Sequence, residues 1–583
     1  MNAVHDVIEP LRRHAARHPK RSAIVTHGGD SVSYGRLADR VSVLAQRLVD
    51  GGHAAGGRLG LWFEEGDWIG FATGYFAALA SGATAVVLPG DADGRALRLL
   101  ADDAGVTATL AAQDASPLGT VTDLPHIRSG AEHDGVSRTP TAAAPADPAA
   151  AGDVIFTSGS TGRPKPVVAS LGHLSRLVTE YGARPAGPDV LANGFSHSSA
   201  LGTRVGLLYA VARGITMATC VPFDARAFLR LADRHRAASA VLPAATAHAL
   251  LRALGAEDAP RPRALRRLRF GADHLNPAVH RELAAALPWC EVLNVFGLTE
   301  AGDAHLVITA DDCHLGPGGR PARGTEVRVL AEDGSWAAPG QPGAICLRGP
   351  LEPMSYVGDR RLTASTWRDG WTVTGDRGRL DDDGRVRLEG RAEFIARIGG
   401  RSIATADVRD ALESHPDIAA AAVVTMPHQT LGQTLVAVVE TAEPVGAGGQ
   451  PDEADLMEFV RGSLPGHAVP SVILPVGQIP LARTGKPSPA AIRELVRRAS
   501  APARRPCETE LEKLVATVWT SVLGLSAPVG PDDSFVRLGG DSMTAVEVLA
   551  ILEEELGDEI PSDVILSART LGELARGLEG RRA

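Results

Sequence analysis

Paired cysteines, an excess of basic charge and long uninterrupted apolar runs are all missing from this 583-residue sequence, and each absence closes off a class of protein. The five cysteines, Cys220, Cys290, Cys313, Cys346 and Cys507, lie scattered without zinc-like spacing. Their odd number suits reduced thiols better than a disulfide framework, so a reducing cytoplasm is the expected compartment. A net charge of −10 leaves no basic excess to engage phosphate backbones, and no nucleic-acid partner is expected. The most apolar stretch, from Trp68 to Leu88, is broken by Gly, Ser and Thr. It reads as a buried helix entering a strand rather than a membrane span, and no membrane partner is expected. Residues Met1 to His18 carry acids, histidines and arginines around no apolar centre, which does not read as a secretion signal. No solenoid-type repeat is present.

What remains is a globular composition, 44% hydrophobic and 22% charged, in a chain too long for one typical core. Two to four folding units are expected. Helical and strand-like runs alternate from the start, as in Tyr34 to Leu48 followed by Arg58 to Phe63, which predicts a wound α/β body. The stretch Ser129 to Gly152, rich in Ala, Pro and Asp, reads as an exposed loop. After residue 389 a smaller α/β unit follows, with a helix near Ala406 to Ser414, strands near Ala420 to Thr425 and Leu435 to Glu440, and a glycine-rich loop, Pro444 to Gln450. Arg497 to Pro506 holds no large apolar side chain and reads as a linker. Beyond it Leu511, Leu514, Val515, Val518, Trp519, Val522 and Leu523 form one face of an amphipathic helix, the start of a small all-α bundle.

The most informative segment is Thr157-Ser158-Gly159-Ser160-Thr161-Gly162-Arg163-Pro164-Lys165, which follows an apolar run, Val154-Ile155-Phe156, that reads as a buried strand. Backbone amides exposed by the glycines, together with hydroxyl donors and the charge of Lys165, make a cradle for a phosphate chain. In isolation a Ser/Thr/Gly run serves equally well as a flexible linker. The strand before it and the Pro-Lys exit argue against that. It is not the loop of P-loop NTPases, because no Lys-Ser or Lys-Thr follows a suitably spaced glycine pair.

The segment resembles the phosphate loop of the adenylate-forming superfamily, which includes acyl-CoA ligases, luciferases and nonribosomal-peptide adenylation domains. Further signatures of that family recur in order: Asn294-Val295-Phe296-Gly297-Leu298-Thr299-Glu300, Thr372-Val373-Thr374-Gly375-Asp376, Gly390-Arg391-Ala392-Glu393 with Arg397 to Arg401, and Pro480 to Lys486. The resemblance implies a large N-terminal adenylation body over 1–389 and a small mobile α/β subdomain over 390–498, then a linker at 499–506. It also implies ATP and Mg2+. Thr157, Ser158, Gly159, Ser160, Thr161, Gly162 and Lys165 would hold the phosphates, with Asn294, Phe296, Gly297 and Arg391 around the nucleotide. Glu300 would hold the metal, Thr299 contact a phosphate, Asp376 bind the ribose, Lys486 act as the catalytic cation and Glu393 serve as the hinge.

Asp533-Ser534-Phe535-Val536-Arg537-Leu538-Gly539-Gly540-Asp541-Ser542-Met543 resembles the phosphopantetheine attachment site of peptidyl and acyl carrier proteins. A helix cap formed by Asp541 and Ser542 is the plainer alternative. By the resemblance, 507–583 is a four-helix carrier bundle that takes 4′-phosphopantetheine on Ser542, and Met543, Val546, Leu549, Leu552 and Leu556 form its buried stripe.

Amino-acid-activating relatives usually place an aspartate within the segment matching Phe195 to Gly206, and none stands here. Either the substrate lacks an α-ammonium or another acid pairs with it, Asp303 being the candidate. His197 either touches the carboxylate or packs at the wall. Leu201, Gly202, Val205, Val241, Phe270, Val295 and Ala304 complete the expected pocket, and the bulk of Phe270 suggests a small side chain. Three positions depart from the family pattern: Pro166, the run Phe270-Gly271-Ala272-Asp273, and Pro489. The expected reaction is ATP-dependent activation of a small amino acid, with a non-amino carboxylic acid or an inactive carrier scaffold as alternatives. Expected partners are that acid, a phosphopantetheinyl transferase, separate condensation, ketosynthase or tailoring enzymes, and an accessory protein if one is required.

Overall fold

Strands rich in Val, Ile and Leu alternate with helices over the first unit, and three sheets result. The computed structural model describes residues 6–54, 56–90, 94–112, 124–129, 147–157, 164–183, 190–391, 395–398, 401–428, 432–441, 452–480, 487–500, 507–523, 529–533, 535, 542–558, 560–561, 568 and 570–582. The chain divides into two compact units, 1–493 and 494–583.

In the first unit a seven-stranded sheet is parallel at its centre, where Thr84–Leu88 lies between Arg58–Trp62 and Ala151–Thr157. At one edge Ala151–Thr157 turns back antiparallel into Lys165–Ser170, which pairs in turn with Ser355–Tyr356. A second, larger sheet has a parallel core of Val190–Asn193, Ser239–Pro243, Arg267–Gly271 and Glu291–Gly297. The expected helix into strand is helix Trp68–Ser81 followed by Thr84–Leu88. Asp67 caps that helix at Gly70 N–H, and the helix is buried almost all round, as its uniformly apolar sequence requires.

A third sheet of five strands belongs to the smaller α/β part, with helix Thr405–Glu413 and strands Ile418–His428 and Gly432–Thr441 where the pattern puts them. The loop read at 444–450 and most of that at 129–152 lie outside the described residues. One boundary differs from expectation. Helix Pro489–Ser500 runs four residues into the segment read as linker, because Glu494 bonds Arg498 one turn on and also pairs with Arg497, and cations suit a helix C-terminus.

The second unit is all-helical among the described residues: Glu510–Val522, Ser542–Leu556 and Leu571–Arg582. Thr509 and Glu512 close a capping box on the first, and Val515, Trp519, Val548, Leu552, Leu571 and Leu574 share one core. The expected stripe on the second helix holds at Leu552, which is buried, and at Leu549 and Leu556, which pack partly buried against the same core, and is corrected at Val546. Val546 is 68% exposed, and Ala545 and Val548 are buried in its place. Three- and four-residue spacing fits more than one helical face, and the residue next to a buried one sits about 100° away from it. No helix among the described residues is long and apolar enough to cross a membrane.

Candidate active site

Thr157 ends one strand and Lys165 opens the next, and the two are antiparallel partners. The strands on either side of the phosphate segment thus form a hairpin pair. Ser158, Gly159, Ser160, Thr161 and Gly162 lie outside the described residues, as do Glu393 and Lys486; the side chains of Arg391 and Ser542 are likewise undescribed. The backbone of Ser542 opens helix Ser542–Leu556.

Glu300 sits in a 3₁₀ turn, Thr299–Ala301, just past strand Glu291–Gly297. Tyr356 Oη–H donates to its Oε1 at 2.9 Å, while Trp367 Nε1–H donates to its backbone carbonyl at 2.9 Å. Tyr356 lies opposite Val167, and Val357 N–H donates to the Pro166 carbonyl at 3.0 Å. The carboxylate is therefore tethered to the return strand of the phosphate hairpin. Sequence reasoning missed both tethers, which lie 56 and 67 residues away along the chain. No group of three or more His, Cys, Asp or Glu that could hold a metal occurs among the described residues. A single carboxylate tethered to the hairpin whose closing segment is expected to hold phosphate would fit Mg2+, which keeps its waters and takes one or two carboxylates plus phosphate oxygens.

Asp376 is buried in strand Trp371–Leu380 opposite Arg391. Its N–H donates to Thr374 Oγ1 at 3.1 Å. Asn294 Nδ2 donates to the carbonyls of Phe270 and Asp273 at 3.3 and 3.0 Å, and its Oδ1 accepts from Leu275 N–H. Both donor hydrogens thus fold the following loop, and any contact with a nucleotide is left to the second lone pair of Oδ1. Phe296 is half-buried and Gly297 exposed at the strand end. Within the loop Ala272 takes a φ of +70°, a left-handed conformation that costs a residue with a Cβ roughly 1–2 kcal/mol.

Some of the side chains expected to line the pocket pack together. Leu201, Val205 and Val241 share a cluster with Phe195 and Ala272, and a Cβ on Gly271 would lie 3.3 Å from Leu201 Cδ1 and 3.7 Å from the Val295 carbonyl. Gly271 and Ala272, noted above only as part of a run that departs from the family pattern, lie beside these side chains. Phe270 is corrected: it is level with Leu242 and Asn294 and packs in a different cluster, whereas Val241, level with Arg269 and Leu293, faces the other side. Its ring does not set the pocket size. Ala304 is corrected likewise, being packed with Leu306, Ile345 and Val386, and a Cβ on Gly349 would come within 3.2 Å of its own Cβ. Gly202 is a packing residue, since a Cβ there would fall 2.0 Å from the Ser196 carbonyl.

His197 stacks on Phe71 at 4.4 Å with the edge of Trp68 against it, and its Nε2 bonds the Glu64 carbonyl at 3.1 Å. Burial pushes it down to about 4, so it is neutral at physiological pH. Asp303 is half-buried beyond Gly302, whose φ of +61° and close approach to His173, 3.2 Å from a Cβ to Cε1, admit only glycine.

The loop after Ala272 meets helix Thr405–Glu413 of the smaller α/β part through charge. Arg409 Nη1 lies 3.6 Å from Asp273, His274 Nε2 lies 3.6 Å from Asp410, and Asn276 Nδ2 donates to Glu413 Oε2 at 3.1 Å. His248 stands 3.9 Å from the same Glu413 oxygen.

Comparison with known proteins completes the picture. The AMP-binding enzyme family model matches residues 11–357, its C-terminal domain model 407–486, and the phosphopantetheine attachment site model 513–578. Phenyloxazoline synthase MbtB of Mycobacterium sp. (strain MCS) is 29% identical over 99% of this chain, which spans 50% of that protein. Syringomycin synthase SyrB1 of Pseudomonas syringae pv. syringae is 27% identical over 96% of this chain and 93% of its own length. The amide bond synthetase McbA from Marinactinospora thermotolerans superposes on 84% of this chain and 99% of its own, with a TM-score of 0.70 and 26% identity.

Proposed function

We propose, from the premise that this chain belongs to the AMP-binding enzyme family, that it is an AMP-forming ligase that loads its own carrier domain. The acid would be a small amino acid or another carboxylic acid, the acceptor the phosphopantetheine thiol on Ser542, and the product feed for a secondary-metabolite pathway. Enzymes of this family use ATP and Mg2+, and the attachment domain carries 4′-phosphopantetheine. The observation that carries the reading is the Glu300 carboxylate held by Tyr356 beside the phosphate hairpin.

A carboxylate oxygen attacks the α-phosphorus of ATP, and the bond to the β-phosphate breaks with pyrophosphate leaving. Thr157, Lys165 and the loop between them would steady the departing phosphates, and Thr299 would donate to one of them. Tyr356 restrains the Glu300 carboxylate and Trp367 holds its backbone, so the other carboxylate oxygen would be aimed before substrate arrives. Bound metal would shield phosphate charge, and the pantetheine arm would supply the thiol that takes the acyl group as AMP leaves. Lys486 is proposed to bridge the carboxylate and the α-phosphate, Asp376 to hold the ribose, and Glu393 to mark the hinge on which the smaller part turns.

The pocket wall favours a second reading of the acid. Phe195, Leu201, Val205, Val241 and Ala272 offer only apolar side chains, and His197 is neutral, so an ammonium would need Asp303. A carboxylic acid without an α-amino group needs no such partner. The proposed partners remain a phosphopantetheinyl transferase, separate condensation, ketosynthase or tailoring enzymes, and an accessory protein if the adenylation step requires one.

The test is intact mass of the phosphopantetheinylated protein incubated with Mg-ATP and a mixed pool of amino and carboxylic acids. A mass gain that requires ATP, Ser542 and Lys486 is expected, and its size identifies the acid. If Asp303→Asn abolishes the gain with amino acids alone, the ammonium reading holds. Pyrophosphate exchange absent with every acid in the pool would overturn the ligase reading and leave a carrier scaffold.

A further inference from the structure

A lone acid stands in the middle of the strand that delivers the phosphate hairpin. Asp153 is fully buried between apolar neighbours, and alternation along the strand puts it on the same face as Thr157. It is paired with Arg204, also buried, whose Nη2 lies 2.6 Å from Oδ1 and whose Nε lies 3.3 Å from Oδ2. Tyr75 Oη–H donates to Oδ2 at 2.9 Å, its hydroxyl held protonated by burial and by Asp153 itself. Three donors thus converge on one carboxylate inside the core.

Arg204 belongs to a π-helix, Leu201–Leu208, which carries the pocket residues Leu201 and Val205. Such helices are rare and their widened turn re-aims side chains. The guanidinium reaches a third element as well: Nη1 contacts Met354 Sδ at 3.2 Å, two residues before Tyr356, whose hydroxyl holds Glu300. His173 Nδ1 bonds the carbonyl of Glu352 at 2.8 Å, and its ring packs against Gly302, just past Glu300. The buried pair therefore touches the phosphate strand, the acid-pocket helix and the segment just before the strand that tethers Glu300.

Stability alone gives no reason to keep such a pair, because replacing a buried ion pair by apolar residues of similar volume is often neutral or stabilising. Direction is what a bidentate pair supplies and an apolar contact does not. We propose that Asp153 and Arg204 are positioning residues, a strut that fixes the spacing between the phosphate hairpin and the acid-pocket helix and so aligns the attacking carboxylate with the α-phosphorus. This rests on the ligase reading given above. A displacement of about 1 Å between the two subsites costs on the order of 100-fold in rate while leaving each subsite able to bind.

The test compares the unmodified protein with the double variant Asp153→Leu/Arg204→Met. Pyrophosphate exchange is followed with Mg-ATP and with whichever acid of an α-amino and aryl carboxylic acid panel the unmodified protein exchanges fastest. The double variant is expected to melt near the unmodified temperature, to keep KM for Mg-ATP and for the acid within about threefold, and to lose on the order of 10- to 100-fold in kcat. Unchanged kcat in a folded double variant overturns the strut and leaves the ligase reading standing. If the double variant does not fold, Arg204→Lys decides, because it keeps the positive charge and removes the two-point contact with Asp153: a fall in kcat at constant KM supports the strut, and no change overturns it. No acid-dependent exchange in the unmodified protein overturns both readings together.

Discussion

The Asp153–Arg204 pair and the Asp273–Arg409 contact each join two elements through an arginine and an aspartate, and they are built to different tolerances. In the first the guanidinium and carboxylate are 5% and 0% exposed and meet at 2.6 Å. In the second the two side chains are 16% and 34% exposed and stand 3.6 Å apart, with His274 to Asp410 equally long. The close, dry pair lies wholly inside the large α/β body. The looser one joins that body to helix Thr405–Glu413, which follows the segment read as a hinge. A joint that must not move can be dehydrated and bidentate. A joint made between parts expected to turn must be separable at low cost, and longer, partly exposed ion pairs are separable.

Single truncations probe that contrast most directly. Arg204→Met leaves a buried carboxylate without its cation and is expected to cost about 3–5 kcal/mol of unfolding free energy. Arg409→Met should cost about 1 kcal/mol, since both carboxylates it leaves, Asp273 and the nearer Asp410, are 34% and 26% exposed and regain water. Urea melts of the two variants measure the difference, and equal losses would erase the distinction drawn between the joints.

Acid titration is the next strongest discriminator. Burial pushes His173 and His197 down to about 4 from an ordinary 6.5. Above 6.5 the folded and unfolded chains are both neutral there. As pH falls from 6.5 to 4 the unfolded chain takes up protons that the folded chain refuses, so stability drops across that window and levels off below it. The loss should be on the order of 1–3 kcal/mol per histidine at its foot. Burial also lowers His274, but Asp410 opposes it, so His173→Gln should flatten the pH slope more than His274→Gln does.

The smallest effect is expected from Asn276→Ser, which removes the 3.1 Å bond to Glu413 but keeps a side-chain oxygen to cap helix Pro277–Ala286 at Ala278 N–H, while Ala421 N–H still donates to the other carboxylate oxygen. Global stability should change by about 1 kcal/mol or less. Amide exchange in helix Thr405–Glu413 should quicken all the same. Unchanged exchange there would show that the loop does not hold the helix.

The parts legible in the sequence are those encoded locally. The phosphate hairpin, the turn carrying Thr299 and Glu300, and the amphipathic helices of the carrier each announce themselves within a dozen residues. What was illegible is set by distant pairing: Tyr356 and Trp367 on Glu300, and Arg204 on Asp153 from 51 residues away. One clue was present, since an aspartate among Val154, Ile155 and Phe156 in a buried strand demands a partner, though not which one. Phe270 and Val546 failed for a different reason. Periodicity says that a face is buried without saying which face, and register against neighbouring strands or helices settles it.

The short segment from Gly271 to Asn276 has a consequence for anyone who would redesign the pocket. Its first residues form the wall against Leu201, and its last residues grip helix Thr405–Glu413. Ala272 holds the bend between them in a left-handed conformation. On the proposed reading, selectivity and lobe motion would share one piece of backbone, so a substitution there that widens the pocket would also retune the timing of the cycle. Libraries aimed at new acids should vary the π-helix side of the pocket and leave this bend alone.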